Sequence, residues 1–170
     1  MEESIAMTGK RIVIVGSPGS GKSTFARALR DKTGLPLFYL DMLFHKADRT
    51  TADCEEFDAR VHEILTQSEW IIDGNYQRTI PLRFAACTDI FLFDLPVEQC
   101  LEGAASRIGK RREDLPWVEE AFDEDFRRYI LDFPKDQLPV IYALLEQYKH
   151  SKMITVFHSR EEADAWLSRL

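Results

Sequence analysis

Short apolar runs alternate along the chain with stretches whose apolar positions recur at helical spacing. Arg11-Ile12-Val13-Ile14-Val15 is β-branched and apolar, and reads as a buried strand. Residues 36–41, residues 70–76 with their turn, residues 89–94 and residues 153–157 read as four further strands. Phe25, Ala28 and Leu29 predict a helix from about residue 21 to residue 32, stopped by Gly34. Phe57, Val61, Ile64 and Leu65 predict a helix to about residue 67, entered through a capping box of Asp53 and Glu56. Pro81 suits the first turn of a helix capped by Thr79, with Arg83 on it. Val97, Cys100, Leu101, Ala104, Ala105 and Ile108 form a long stripe of 3.6 period. Phe122, Phe126, Tyr129, Ile130 and Phe133 mark the buried side of a helix that starts in the acid-rich residues 119–125 and ends at Pro134. Ile141, Leu144, Leu145 and Tyr148 face inward on a helix over residues 137–149. Ser159 and Glu162 box the last helix, which Ala163, Trp166 and Leu167 pack down. Strands alternating with helices predict a parallel sheet covered on both faces, a three-layer α/β/α fold.

Three stretches stand outside this pattern. Residues 1–9 read as a frayed lead-in, residues 42–51 as a loop, and residues 113–120 as a polar, mobile cover. A chain of 170 residues predicts one domain over residues 1–170. The net charge of −7 argues against a general nucleic-acid surface, so no specific binding of duplex DNA is expected. Cys54, Cys87 and Cys100 lack metal-type spacing and read as reduced residues of a cytoplasmic protein. No run approaches the roughly 18 apolar residues of a membrane span. The acidic start Met1-Glu2-Glu3-Ser4 lacks a signal-peptide pattern. A monomer or homodimer is expected.

The chemistry concentrates after the first strand. Gly16-Ser17-Pro18-Gly19-Ser20-Gly21-Lys22-Ser23 fits G-x-x-x-x-G-K-[ST], and Thr24 opens the helix behind it. The glycines let backbone N–H groups turn inward as an anion nest, and the helix N-terminus adds partial positive charge. Lys22 is then placed for β- and γ-phosphates, and the Ser23 hydroxyl for Mg²⁺. Gly16 through Thr24 therefore form the expected ATP site. Asp41 and Asp73 each end a strand, where open α/β sheets present their ligand crevice. Asp73 suits a Mg²⁺-associated carboxylate, with Gly74-Asn75 as the sharp turn after it. Arg107 and Arg111 are four apart at a helix end, so they are expected on one helical face as a phosphate clamp.

The phosphate loop together with Ile71-Ile72-Asp73-Gly74-Asn75-Tyr76-Gln77-Arg78-Thr79 resembles the adenylate-kinase-like P-loop kinases, whose third strand ends in an Asp-Gly-Phe-Pro-Arg-Thr type of motif. Arg107-Ile108-Gly109-Lys110-Arg111-Arg112 is similar to the basic start of their lid. Over residues 10–170 the chain resembles more closely the topology modulation proteins. The points of likeness are Leu40-Asp41, residues 70–76, and residues 107–117 with Phe126 and Ile130. The resemblance implies a five-stranded sheet of order 2-3-1-4-5, ATP on the loop, and an acceptor near Asp41. It implies Asp73 orienting Mg²⁺ through water, and Arg107 and Arg111 as lid arginines on the phosphates. The acceptor segment is expected at about residues 42–69 and the lid at about 107–121. Gln77 displaces Arg78 by one position from the adenylate kinase motif, and His45 stands where the wider family often has Trp.

Lys22, Asp41, Arg107 and Arg111 are thus the expected catalytic residues of an ATP-dependent phosphotransferase with a nucleotide, nucleoside or similar small acceptor. Asp41 is expected to hold or deprotonate an acceptor hydroxyl. A nucleotide-binding regulator without transfer activity is the alternative. A hydrolase switch fits less well, because there is no Asn-Lys-x-Asp motif and Leu95, not an acid, follows Asp94.

Overall fold

The computed structural model describes residues 7–170. β1 (Arg11–Gly16) lies at the centre of a five-stranded, all-parallel sheet with β2 (Leu37–Tyr39), β3 (Trp70–Asp73), β4 (Asp89–Phe93) and β5 (Met153–Phe157). The order is β2-β3-β1-β4-β5, as expected. Parallel strands are buried on both faces, which explains their near-continuous apolar character. Ile12 and Ile14 face one core, and Val13 and Val15 the other.

On the first face lie α1 (Lys22–Thr33), α5 (Val97–Ser106) and α8 (Arg160–Ser168). Phe25 of α1 sits among the rings of Phe91, Phe93, Phe157 and Trp166, at centroid separations of 5.1, 5.3, 5.4 and 5.8 Å. This knot locks the helix that follows the phosphate loop onto β4 and β5. The second face is covered by α3 (Cys54–Leu65), α4 (Ile80–Ala86) and α7 (Leu138–Tyr148). α6 (Glu124–Asp136) bridges the two cores, giving Ile130 to one and Phe133 to the other.

Several elements depart from expectation for local reasons. The strand expected over residues 36–41 ends at Tyr39, and Leu40–Phe44 form a short helix, α2. Asp41 therefore lies in a first helical turn. The expected loop after it is a tight excursion closed by an antiparallel bridge between His45 and Thr51. Asp53 caps α3, accepting from the Glu56 N–H at 2.8 Å, but Glu56 pairs with Lys46 rather than closing the box. Thr79 stands at the N-cap position of α4 as expected, but its side chain makes no capping hydrogen bond: it ends a 3-10 turn, and its hydroxyl donates to the Tyr76 carbonyl. Pro134 does not end α6 but sits in its last turn. Near the start, Thr8 and Gly9 are pinned rather than frayed: their N–H groups donate to the buried Asp89 carboxylate at 2.9 and 3.1 Å. The rest of the expected lead-in, residues 1–6, lies outside the described residues. Cys87 and Cys100 are buried free thiols and Cys54 is exposed. No helix among the described residues is long and apolar enough to cross a membrane.

Candidate active site

The phosphate loop runs from the end of β1 into α1 and is braced from three directions. Asn75, just after β3, donates to the Gly16 carbonyl at 2.7 Å and accepts from its N–H at 3.0 Å. Arg160 of α8 donates to the Gly19 carbonyl at 2.7 Å. Gly103 of α5 lets that helix lie against the loop; a Cβ there would sit 2.1 Å from the Gly19 oxygen. Gly19 itself has φ +80°, and a Cβ on it would meet the Cys100 carbonyl at 2.0 Å. Only glycine fits at either position. Ser17 and Ser20 are buried in the loop's scaffold, while Gly19, Gly21, Lys22, Ser23 and Thr24 line a cavity of about 360 Å³. Pro18 faces a second cavity on the other side.

β3 delivers Asp73 directly beneath the loop. The Ser23 hydroxyl donates to Asp73 Oδ2 at 2.6 Å, and Lys22 Nζ lies 4.0 Å from Oδ1. Asp73 is 3% exposed, and Oδ1 accepts no hydrogen bond among the described residues. Burial pushes its carboxyl above the usual range, against the pull of Lys22 and Ser23. A hydroxyl beside a buried, unpartnered carboxylate oxygen fits Mg²⁺. That cation takes one or two protein oxygens and completes its shell with water and phosphate. Among the described residues no group of three or more His, Cys, Asp or Glu side chains could hold a metal without such help.

The turn after Asp73 is held from below by a residue that the sequence reading left without a role. Arg83 of α4 is fully buried and has no ion-pair partner among the described residues. Its guanidinium donates to the carbonyls of Gly74, Asn75 and Tyr76 and to the Thr79 hydroxyl. Burial pushes its pKa down to about 9, which leaves it charged at neutral pH. The turn so fixed holds Tyr76 at φ +42°, a strained conformation for a bulky residue. The strain aims the Tyr76 hydroxyl at Asp41, to which it donates at 2.7 Å. Burial, and then the nearby Asp41 charge, push the Tyr76 phenol pKa up. Arg78 turns away and forms a bidentate pair with Asp58 at 2.6 and 2.8 Å.

The arginines are not arranged as the helical spacing implied. Ser106 returns its hydroxyl to the Gly103 carbonyl, and the Arg107 and Ile108 N–H groups drop to carbonyls three residues back. Gly109 at φ +77° completes the exit. Arg107 and Arg111 therefore share no helical face, and Arg111 is exposed and lines neither cavity. Arg112 stands in its place. Residues 107–123 fold back as a cover without regular structure, and Arg107 and Arg112 both face inward. Arg112 pairs with Glu119 at 2.6 Å and approaches Asp114 at 3.9 Å. Arg107 has no ion pair among the described residues, and its buried Nε has no hydrogen-bond partner. Burial, and then the neighbouring Arg112, push its pKa down. Its unpartnered guanidinium nitrogen has room to bind an anion.

Two cavities thus open on the carboxyl ends of the strands. The smaller lies against the phosphate loop, α5 and Asp114. The larger, about 780 Å³, holds Asp41, Tyr76, His45, Trp117, Phe126 and Tyr129. Lys22, Arg107 and Arg112 line both.

No family model matches the chain. An adenylate kinase of Thermotoga neapolitana is 27% identical over 85 residues; the match spans 49% of this chain and 38% of that enzyme's length. Among solved structures, a shikimate kinase from Bacteroides thetaiotaomicron superposes with a TM-score of 0.57 at 16% identity, over 96% of both chains. A gluconokinase from Sinorhizobium meliloti superposes with a TM-score of 0.54 at 13% identity, over 96% of this chain and 94% of its own. At such identities the likeness is one of fold, and the chain carries the α/β fold of the P-loop kinases.

Proposed function

We propose that this protein transfers the γ-phosphoryl group of Mg-ATP to a small-molecule acceptor. The observation that carries this reading is the meeting of two cavities at Lys22, Arg107 and Arg112. Phosphoryl transfer needs in-line positioning and charge neutralisation more than covalent chemistry. The phosphate loop binds the triphosphate through backbone N–H groups and Lys22. Ser23 and Asp73 would hold Mg²⁺, which supplies charge neutralisation on the β- and γ-phosphates. Arg107 and Arg112 contact the group in flight, and Asp41, held by Tyr76, positions the acceptor. The cover keeps water from the γ-phosphorus and so favours transfer over hydrolysis. Residues 42–69 with the cover form the acceptor side. The stretches around Leu40-Asp41, residues 70–76 and residues 107–117 further support a place beside the topology modulation proteins. Neither the cavities nor the −7 charge offers a surface for duplex DNA.

Calorimetry with Mg-ATP and a nucleotide-release assay test the reading. Wild type binds Mg-ATP, and Lys22→Ala weakens binding and lowers turnover by roughly 10³-fold. Asp73→Asn keeps the fold and loses the dependence of turnover on Mg²⁺. Unchanged affinity in a folded Lys22→Ala protein would sink the proposal.

A further inference from the structure

Resting on that reading, we infer that the acceptor presents a hydroxyl for phosphorylation and carries no phosphate or other anionic group of its own. The charges around the larger cavity divide unevenly. Three of its cations, Lys22, Arg107 and Arg112, are shared with the phosphate-loop cavity, where a triphosphate engages them. What remains on the acceptor side is Asp41, Glu119, Glu120 and Asp123 against one arginine, Arg49. Arg49 is already occupied: its guanidinium lies 3.6 Å from Glu120 and 5.7 Å from the centroid of the Trp117 ring. An acceptor bearing its own phosphate would therefore find no free cation on its side and would face the carboxylates of Asp41 and Asp123, which no cation pairs among the described residues, while Glu119 and Glu120 already hold Arg112 and Arg49. Like-charge juxtaposition of that kind rejects a ligand strongly.

The same residues welcome a hydroxyl. Asp41 has no ion-pair partner among the described residues, and its single hydrogen bond is the one accepted by Oδ1 from Tyr76. Oδ2 is left to accept from a ligand. His45 and Trp117 pack edge to face at 5.0 Å and, with Phe126 and Tyr129, supply apolar walls for a ring or carbon skeleton. Glu119, Glu120 and Asp123 tolerate an uncharged edge and attract an amine. In the transfer itself the acceptor oxygen forms a bond to the γ-phosphorus. The bond from that phosphorus to the β–γ bridging oxygen breaks, ADP leaves with the electron pair, and the hydroxyl proton passes to Asp41 Oδ2. The products are a phosphate monoester and ADP.

The test uses matched pairs of compounds, each with and without a phosphate: adenosine and adenosine monophosphate, ribose and ribose 5-phosphate, glucosamine and glucosamine 6-phosphate. Full-length protein is first titrated with a non-hydrolysable ATP analogue and Mg²⁺, then with each member of each pair. Analogue binding reports on the phosphate-loop reading by itself; if it fails, the function falls and the inference with it. With the analogue bound, the member without phosphate is expected to bind more tightly in every pair that binds. The neutral sugar and the amino sugar distinguish an uncharged acceptor from an amine-bearing one. Tighter binding of a phosphorylated member overturns the inference and leaves the kinase standing, and so does failure of all six compounds. Asp41→Asn supplies a second readout in a variant that keeps the Tyr76 contact. It should shift the preference toward the phosphorylated member by roughly tenfold or more. An unchanged ratio counts against the inference.

Discussion

The two walls of the site are built differently. Beneath the phosphate loop, side chains grip backbone: Asn75 takes both polar groups of Gly16, Arg160 the Gly19 carbonyl, and Arg83 three successive carbonyls of the turn after β3. Above it, in residues 107–123, side chains pair with side chains. Arg112 meets Glu119, Arg27 meets Asp114 at 3.9 Å, and Glu113 is held by Arg30 and Tyr39. Contacts to fixed backbone in buried space are costly to break, because each leaves an unsatisfied group. The Arg30–Glu113 pair lies near water, where an ion pair is weak and exchangeable, whereas Arg112–Glu119 is more buried. On the proposed reading the floor serves as a preorganised electrostatic cradle and the cover as the part that opens. That division suits a transfer enzyme, which needs rigid charge placement and a moving shield.

The largest effect that sharpens this contrast lies where the cover reaches the phosphate. If Arg107 acts in the transition state as proposed, Arg107→Ala should lower kcat by roughly 10²-fold and raise the KM for ATP far less. Arg111→Ala should be nearly silent, within about 0.5 kcal/mol in rate and stability, since that side chain is exposed outside both cavities. Steady-state kinetics on the two variants, with any acceptor found, decide it. Equal losses would mean that the cover rearranges to bring Arg111 inward.

Next in size is the floor. Arg83→Leu leaves the carbonyls of Gly74 and Asn75 without the Arg83 donor, while the Tyr76 carbonyl keeps the Thr79 N–H and hydroxyl. A loss of about 2–4 kcal/mol in unfolding free energy is expected, together with loss of acceptor binding as Tyr76 relaxes from its strained φ. Denaturant melts check the first part and calorimetry the second. A stable variant with normal binding would show that the turn needs no brace.

Which residues could be read from the sequence follows from the same division. The phosphate loop and the strand-end place of Asp73 are legible because each is local: a strand, a glycine turn and a helix start are contiguous, and an acid ending an apolar run is a strong signal; the sheet order is not local, and only the resemblance to the P-loop kinases implies it. Arg83 was not legible, because an arginine on an amphipathic helix is ordinarily solvated. Only the tertiary path of residues 74–76 makes it a core residue. Gly103 gave no signal for the same reason; its value lies in the loop that crosses it. Arg107 and Arg111 do not share the helical face that their spacing implies, because α5 stops at Ser106, where a hydroxyl and Gly109 unwind the chain. Arg112 then replaces Arg111 on the inner side, a swap decided by how the cover folds back.

The smallest effect concerns the latch of the cover. Glu113 accepts from Arg30 at 2.7 Å and from the Tyr39 hydroxyl, tying the cover to α1 and β2. The Tyr39 hydrogen bond, and then that of Arg30, hold the Glu113 carboxyl below the usual range. A carboxylate depressed in the folded state stabilises it above the unfolded value, and that contribution is lost as pH falls through the folded one. The latch should thus be closed at neutral pH and released below the ordinary carboxylate range. The Glu113 side chain is 47% exposed, so solvent screening keeps its worth under about 1 kcal/mol. Global melting will scarcely register it, whereas local opening will. Limited proteolysis should cut residues 107–123 faster as pH is lowered from 7 toward 4, using an enzyme active across that range. Glu113→Gln keeps one acceptor oxygen but loses the charge, and should bring the fast cutting to neutral pH and flatten the pH dependence. Wild-type cutting independent of pH, with Glu113→Gln unchanged, would show that Glu113 does not latch the cover.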